Sequence, residues 1–362
     1  MSPFFSGQDL SMPPHFRSLF CGVVLVLLLP FLLNGLTGES TVQMETALST
    51  GMRSASSFPS AAEEGEGEQR YTSHYLVFGT RDEAGSPRIV AIDFNRTAKG
   101  DSVAYEYKLF LAQGADWSMP VYETWTVPQS AEPRPFPSRG GLNPTLDDGS
   151  LSRVTTTLPD TDLEVKLETP TFSFPTEKSP TGNGNASRTG HPQFTVRWNG
   201  TIHQGRGIYE HIRSTGAAPS EEAVAERNRQ INEESTFGLY DWIVLYDENG
   251  RLWQVSQGTL TEDFAYQQST KALPRETHDV LVRWTATAYD STAGQHRPTR
   301  WLVDVPAWQM RVQLRTTGEH RGHGPARSDG TRPIFVQAGV EGTGTVHGQN
   351  RRFFGMVEHI RD

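Results

Sequence analysis

Along residues 71–362 the apolar positions fall in short runs that alternate with polar ones, the two-residue period of strands rather than the longer period of helices. The stretch "HYLVFGTRDEAGSPRIVAIDFN" reads as two strands joined by a turn from Asp82 to Pro87. "VAYEYKLFLA" and "VYETWTV" continue the pattern, and "LEVKLETPTFSF" sets Leu163, Val165 and Leu167 against charged neighbours, a half-buried strand. "YDWIVLYDENGRLWQVSQGTL" predicts a hairpin turning at Asn249-Gly250. "DVLVRWTATAY" and "RWLVDVPAWQMRVQL" follow, the latter with Trp301, Val303 and Val305 on one face. Residues 128–150 and "SPTGNGNASRTGHP" read as loops, and residues 317–331 as a polar insertion. Only residues 219–235 carry a helix signature, with Ser220 as N-cap and acids in the first turn.

Within this strand pattern one phrase occurs twice. Gly207-Ile-Tyr-Glu210-His211-Ile212 returns almost at the C-terminus as Gly355-Met-Val-Glu358-His359-Ile360. Gly200-Thr201-Ile202-His203 precedes the first copy and Gly344-Thr345-Val346-His347 the second, an alignment that inserts four residues into the second hairpin and so predicts a lengthened turn. Two successive β units, each ending in the same hairpin, predict a duplicated all-β barrel or sandwich. The organisation expected is an N-terminal segment (1–36), a solvated linker (37–70), a first β domain (71–218), a linking helix (219–236) and a second β domain (237–362).

Composition agrees with an all-β chain rich in turns: Gly 34, Pro 23, Phe 18, Trp 8 and Tyr 10 in 362 residues. The net charge of −9, with no dense Lys/Arg stripe, argues against a nucleic-acid partner. The one cysteine, Cys21, lies inside the apolar run of residues 19–36, which leaves residues 71–362 without a disulfide or a thiol nucleophile. That run has the length of a signal-peptide core and is just long enough to span a bilayer. It is read as either a cleaved signal or a retained membrane anchor, with the folded part on the non-cytoplasmic side in both cases. Asn95, Asn185 and Asn199 head glycosylation triplets, relevant only in a eukaryotic host.

The repeated phrase also supplies the candidate chemistry. On a strand Ile208, Glu210 and Ile212 share one face, and Tyr209 and His211 the other; Met356, Glu358 and Ile360 likewise oppose Val357 and His359. Apolar neighbours place Glu210 and Glu358 on the interior side, as structural carboxylates or, for Glu210, as a general acid with a pKa raised by desolvation. With the faces reversed, Tyr209 and His211 line the cavity instead. Tyr240 and Asp241 are the other acid–base candidates, and Tyr209, Trp242 and Trp301 the candidate ligand contacts. Trp198, Trp253 and Trp284 are expected in cores or along a cavity. His320-x-x-His323 has no third ligand beside it, and neither a phosphate-cradling glycine loop nor a Gly-x-Ser-x-Gly elbow is present, so no metal or cofactor is predicted.

Trp301-x-x-x-Val305-Pro306 before an alternating strand, Gly207-x-Tyr209-Glu210-His211, and Tyr240-Asp241-Trp242 before an Asn-Gly hairpin together resemble the carotenoid 1,2-hydratase (hydroxyneurosporene synthase) and AttH-like superfamily, which includes fungal Diels–Alderase-type cyclases. The resemblance covers residues 195–362. It implies two lipocalin-like antiparallel barrels or half-barrels holding a hydrophobic small molecule of polyene, terpenoid or polyketide type, either as a binding protein or as a cofactor-independent hydratase, isomerase or cyclase. The hydratases follow the central His closely with a Trp, where this chain has Ile212 and Arg213, so the resemblance bears on the fold more than on carotenoid hydration itself.

Overall fold

The computed structural model describes residues 69–132, 136–168, 185–216, 240–258, 263–268, 275–324, 326 and 329–361. The apolar N-terminal segment, the linker and the expected helix of residues 219–236 lie outside the described residues. Among the described residues no helix is long and apolar enough to cross a membrane.

The described chain is antiparallel strand joined by turns. The first sheet holds β1 (Gln69–Arg81), β2 (Pro87–Lys99), β3 (Ser102–Gln113), β4 (Asp116–Pro128), β5 (Leu142–Asp147), β6 (Ser150–Thr156), β7 (Leu163–Leu167), β8 (Asn185–Gly190), β9 (Gln193–Trp198) and β10 (Thr201–Gly216). The second holds β11 (Tyr240–Asp247), β12 (Leu252–Gly258), β13 (Phe264–Gln268), β14 (Arg275–Thr277), β15 (Leu281–Asp290), β16 (Gln295–Val305), β17 (Met310–His323), β18 (Ile334–Val346) and β19 (Gln349–Arg361). Two regions read as loops from their Pro and Gly content thus contain β5 and β8, and the polar insertion after residue 317 begins as the end of β17. Backbone pairing with neighbours outweighs the weak side-chain pattern there.

The two sheets repeat one topology. In the first the strand order is β4-β3-β2-β1-β10-β9-β7-β6-β5, with β8 also pairing β10; in the second it is β14-β13-β12-β11-β19-β18-β17-β16-β15. Each unit runs a four-strand meander, then a second set of strands whose last member pairs with the first strand of the unit. Each sheet curls around its own apolar cluster: Leu76, Ile92, Tyr107, Leu151, Val165 and Tyr209 among others in the first, and Ile243, Trp253, Trp301, Val312 and Val357 in the second. The duplicated barrel-like architecture expected from the repeat is what forms.

A third apolar cluster joins the units. Tyr75, Val77, Ile89, Phe110 and Ile208, on the face of the first sheet turned away from its own core, pack on Trp242, Val244, Tyr246, Phe354 and Met356 of the second. Tyr75 and Trp242 meet with ring centroids 5.6 Å apart. The central strands are therefore buried on both faces, which is why β11 is apolar or buried at every position. Each large side chain sealed in this seam contributes about 1.5–3 kcal/mol.

The hairpin signals behave as their chemistry dictates. At the β11–β12 turn Asp247 Oδ1 accepts the backbone N–H of Asn249 and Arg251, and only Gly250 takes a left-handed φ, 71°. At Asn95 the structure removes a candidate glycosylation position: the side chain is buried in mid-strand and accepts the Tyr71 hydroxyl at 2.6 Å.

Candidate functional site

The repeated phrase lies on β10 and β19, the strands that close the two units. Its glycines explain the first position. A Cβ on Gly207 would meet the Val77 carbonyl, and one on Gly355 the Val244 carbonyl, each on the first strand of the same unit. The closing strand approaches the opening strand too closely there for any side chain. The turns before β10 and β19 are Asn199-Gly200 and His347-Gly348, all four residues at positive φ, and in both copies the turn glycine stands seven residues before the phrase glycine. The hairpins therefore match without an insertion. The upstream echo was misaligned: Gly344-Thr345-Val346 ends β18, whereas Thr201-Ile202-His203 begins β10.

Register then distributes the remaining residues. Glu210 pairs Tyr75 and His211 pairs His74 across β10 and β1; Glu358 pairs Trp242 and His359 pairs Asp241 across β19 and β11. Ile208, Met356 and Ile360 belong to the seam between the units, so Glu210 and Glu358 face the seam rather than either barrel interior. Tyr209 and Val357 belong to the barrel cores, so Tyr209 and His211 point inward. Of the two face assignments the sequence allows, the reversed one holds. Apolar flanking residues signal burial, and here the covering surface is the other unit.

In the second barrel the phrase histidine meets an aspartate. His359 Nδ1 lies 3.1 Å from Asp241 Oδ1. The Trp301 indole N–H donates to the same oxygen at 2.9 Å, and the Trp284 indole N–H to Oδ2 at 2.7 Å. With indole donors on both oxygens, the carboxylate is fixed in orientation and accepts the Nδ1–H of the histidine. That partner sets the tautomer and leaves Nε2 as the acceptor. His359 is 0% exposed and its Nε2 has no hydrogen-bond partner. The Trp284 ring stands edge-on to the imidazole at 5.0 Å and is itself only partly buried, on β15 at the open side of the sheet. Gln257 of β12 spans that opening, accepting from Val282 N–H and donating to the Val280 carbonyl, and so holds β15 and Trp284 in place.

The first barrel carries a counterpart with different chemistry. His74 occupies on β1 the place of Asp241 on β11. Its Nδ1 lies 2.8 Å from the Tyr209 hydroxyl, which accepts the Leu151 N–H at 2.8 Å. His211 stacks on His74 at 4.3 Å. Burial, reinforced by the nearby Arg213 charge, pushes the His74 imidazole down to about 3, and burial pushes the Tyr209 phenol up. Both groups are therefore neutral at ordinary pH.

The seam holds the third polar group. Tyr240 donates to Glu358 Oε1 at 3.0 Å and Gln337 to Oε2 at 3.1 Å. Nearby on the first sheet, Asp93 accepts from Asn95 at 2.8 Å and lies 3.4 Å from Lys108, which also pairs with Glu106. Burial raises the Glu358 carboxyl, and raises Asp93 to about 7 against the opposing pull of Lys108. Glu210 is buried on the same side.

The predicted residues thus go to three places: Tyr209 and His211 to the first barrel, Glu210, Tyr240 and Trp242 to the seam, and Asp241 and Trp301 to the second barrel. Tyr240 and Asp241, adjacent in sequence, part because neighbours on a strand face opposite ways. His320 and His323 separate for the same reason, His320 beside Phe110 in the seam and His323 beside Asp290. Among the described residues no cluster of ligating side chains could hold a metal.

No protein-family profile and no curated protein matches this chain. Solved structures do resemble it. An AttH-type protein from Nitrosomonas europaea is 14% identical over 81% of this chain and 92% of its own, with a TM-score of 0.46. Kievitone hydratase from Nectria haematococca is 10% identical over 82% and 89%, with a TM-score of 0.40. CghA, solved with Sch210972, is 10% identical over 81% and 88%, with a TM-score of 0.38.

Sequence reasoning passed over His359 as a partner for Asp241, and passed over His74, Asp93 and Lys108 entirely. The signal for the first was available: if the repeat closes each unit on its own first strand, the phrase histidine falls opposite the residue at position 74 or 241. Asp93 and Lys108 looked like the solvent side of alternating strands, which is where half-buried strands keep their charges.

Proposed function

We propose that this chain is an acid–base enzyme of the hydratase, isomerase or cyclase kind, acting on a hydrophobic small molecule in its second barrel with protein side chains alone. The observation that carries this reading is the His359 Nε2: buried, unpartnered, and fixed by a carboxylate whose oxygens are both held by indole donors. A buried polar atom without a partner costs about 1–3 kcal/mol, and such atoms concentrate where a substrate completes the bonding. In this arrangement His359 Nε2 takes a proton from the substrate, Asp241 stabilises the imidazolium that forms, and the same nitrogen returns the proton at another atom. Trp284, edge-on to the imidazole, and Trp301, bonded to the same carboxylate, are the aromatic side chains of this site. The apolar run of residues 19–36 supports export or membrane anchoring of the folded part.

The test compares organic extracts of the wild-type protein and the His359→Gln and Asp241→Asn variants, purified from the native host, by mass spectrometry. A precursor retained by the variants and a converted product on the wild type establish the enzyme, with turnover reduced by about 10²–10⁴ in the variants. The same compound on all three assigns a carrier. That second reading draws on the aromatic wall of the first barrel, where Tyr105, Tyr107, Trp125 and Phe136 make stacked and edge-on ring contacts.

A further inference from the structure

The seam between the units is not wholly apolar, and strand register lays its polar groups in rows. On the first sheet Glu210, Tyr75, Asp93, Lys108 and Tyr122 are successive cross-strand partners on β10, β1, β2, β3 and β4, and Ser73, Asn95 and Glu106 form the next row. Both rows lie on the face that carries Val77, Ile89 and Phe110, since alternate residues of a strand share a side. On the second sheet His320, Gln337, Glu358 and Trp242 make the corresponding row. The two sheets touch here: Gln337 Nε2 donates to the Tyr75 hydroxyl at 3.4 Å, and that hydroxyl to Met356 Sδ at 3.9 Å.

Charge in these rows does not balance. Asp93, Glu106 and Glu358 are 2%, 1% and 0% exposed, and the ammonium among them is Lys108, paired with Glu106 and 3.4 Å from Asp93. Glu210, also buried, adds a carboxyl at the end of its row. The other titratable groups of the rows add no cation. Burial and Lys108 hold the His320 ring below its ordinary pKa, and burial pushes the Tyr71, Tyr75 and Tyr122 phenols up. Asp93 Oδ1 and Glu106 Oε2 are buried and accept no hydrogen bond. With Asp93, Glu106 and Glu358 all ionised, the closed seam would hold more negative charge than Lys108 offsets, at a depth that water does not reach. Burial accordingly raises Asp93 to about 7 against the pull of Lys108, and raises Glu358.

We propose that the seam is a proton-operated latch: the units close on each other while Asp93 and Glu358 are protonated, and part along this face, each barrel staying folded, when they ionise. An ionised carboxylate regains its hydration only if water enters, and water enters only if the two sheets separate. In the opened seam a carboxyl returns to the ordinary range of about 4, so the closed state binds the extra proton. Closure is therefore favoured at low pH and is lost as pH rises from that range towards 7. The latch does not depend on the acid–base reading of the second barrel.

Peroxide oxidation of the whole protein, followed residue by residue with peptide mass spectrometry, tests it. Met356 is 0% exposed and lies in the seam, whereas Met310 is 0% exposed in the core of the second barrel. Opening of the seam exposes the first alone, and a thioether does not titrate, so the Met356 rate reports the open fraction. From pH 5 to 7 that rate is expected to rise by about tenfold per pH unit, the effect of one proton released on opening, with Met310 unchanged. Asp93→Asn combined with Glu358→Gln, in which amides stand in for the protonated acids, is expected to flatten the Met356 profile to less than about twofold. The wild-type profile decides the matter even if that variant does not fold. A Met356 rate that does not change with pH, a Met310 rate that rises in step with it, or a variant as steep as the wild type overturns the latch.

Discussion

Asp241 and His359 stand 118 positions apart in sequence and 3.1 Å apart in space, and the partly buried Trp284 stands edge-on to the imidazole. Removing that indole in Trp284→Ala should make His359 reactive towards diethyl pyrocarbonate, with modification located by peptide mass spectrometry; continued protection would mean that access runs elsewhere. His74 supports a different prediction. Its imidazole, neutral in the fold down to about pH 3 because burial disfavours the charged form, takes up a proton near its ordinary pKa once unfolded. The unfolded state thus binds the extra proton, and the contribution of His74 is present above the unfolded pKa and lost as pH falls. Asp93, raised to about 7, acts in the opposite sense, its stabilisation declining as pH rises from the ordinary carboxylate range towards 7. Comparing His74→Gln with wild type isolates the first effect. Between pH 6 and 5 the variant should lose stability less steeply, by roughly 1 kcal/mol per pH unit in urea titrations.

At the scale of elements, the closing strands β10 and β19 are held against β1 and β11 by the contact their glycines allow. Gly355→Ala would drive a methyl group into the Val244 carbonyl and the Leu245 Cα, both backbone, which cannot swing aside as a side chain can. Thermal denaturation is expected to show a loss of about 2–4 kcal/mol, well above the typical cost of a point substitution. Gly250→Ala, at an open turn with nothing near its Cβ, should cost about 1 kcal/mol from φ alone. Similar losses at the two positions would contradict the close-approach account of the repeated phrase. The element scale is also where the sequence was most legible. Alternation in "LEVKL", turn chemistry at Asp82–Pro87 and Asn249-Gly250, and the repeat itself all report local geometry, and each corresponds to a strand or turn found in the fold. The strands missed, β5 and β8, are short and polar, with pairing partners that supply what their own pattern lacks.

At the scale of the whole molecule the seam ties the units together. Its apolar members, Tyr75, Val77, Ile89 and Phe110 on one side and Trp242, Val244, Tyr246 and Phe354 on the other, would all face water in a separated unit. A chain of residues 69–216 alone should therefore self-associate or bind the dye ANS strongly, as exposed patches of this kind do. A monodisperse, dye-silent fragment would show the seam to be dispensable. The seam also holds buried carboxyl groups: Glu358, whose apolar neighbours already signalled burial, and Asp93, which reads in the sequence as an ordinary strand charge.

The sequence by itself determined the all-β class, the duplication and the residue types of the repeated phrase, because strand period, turn propensity and glycine requirement act over a few neighbouring residues. It also fixed which side chains share a face. Which environment each face enters was decided only by tertiary structure. An apolar neighbour such as Ile208 or Met356 reads the same whether its own barrel or the opposite unit covers it, and curling each sheet until its last strand met its first was what set His359 beside Asp241 and Glu358 in the seam. Long-range pairing of this kind leaves no local signature, since its energy comes from surfaces that meet only after the strands have formed.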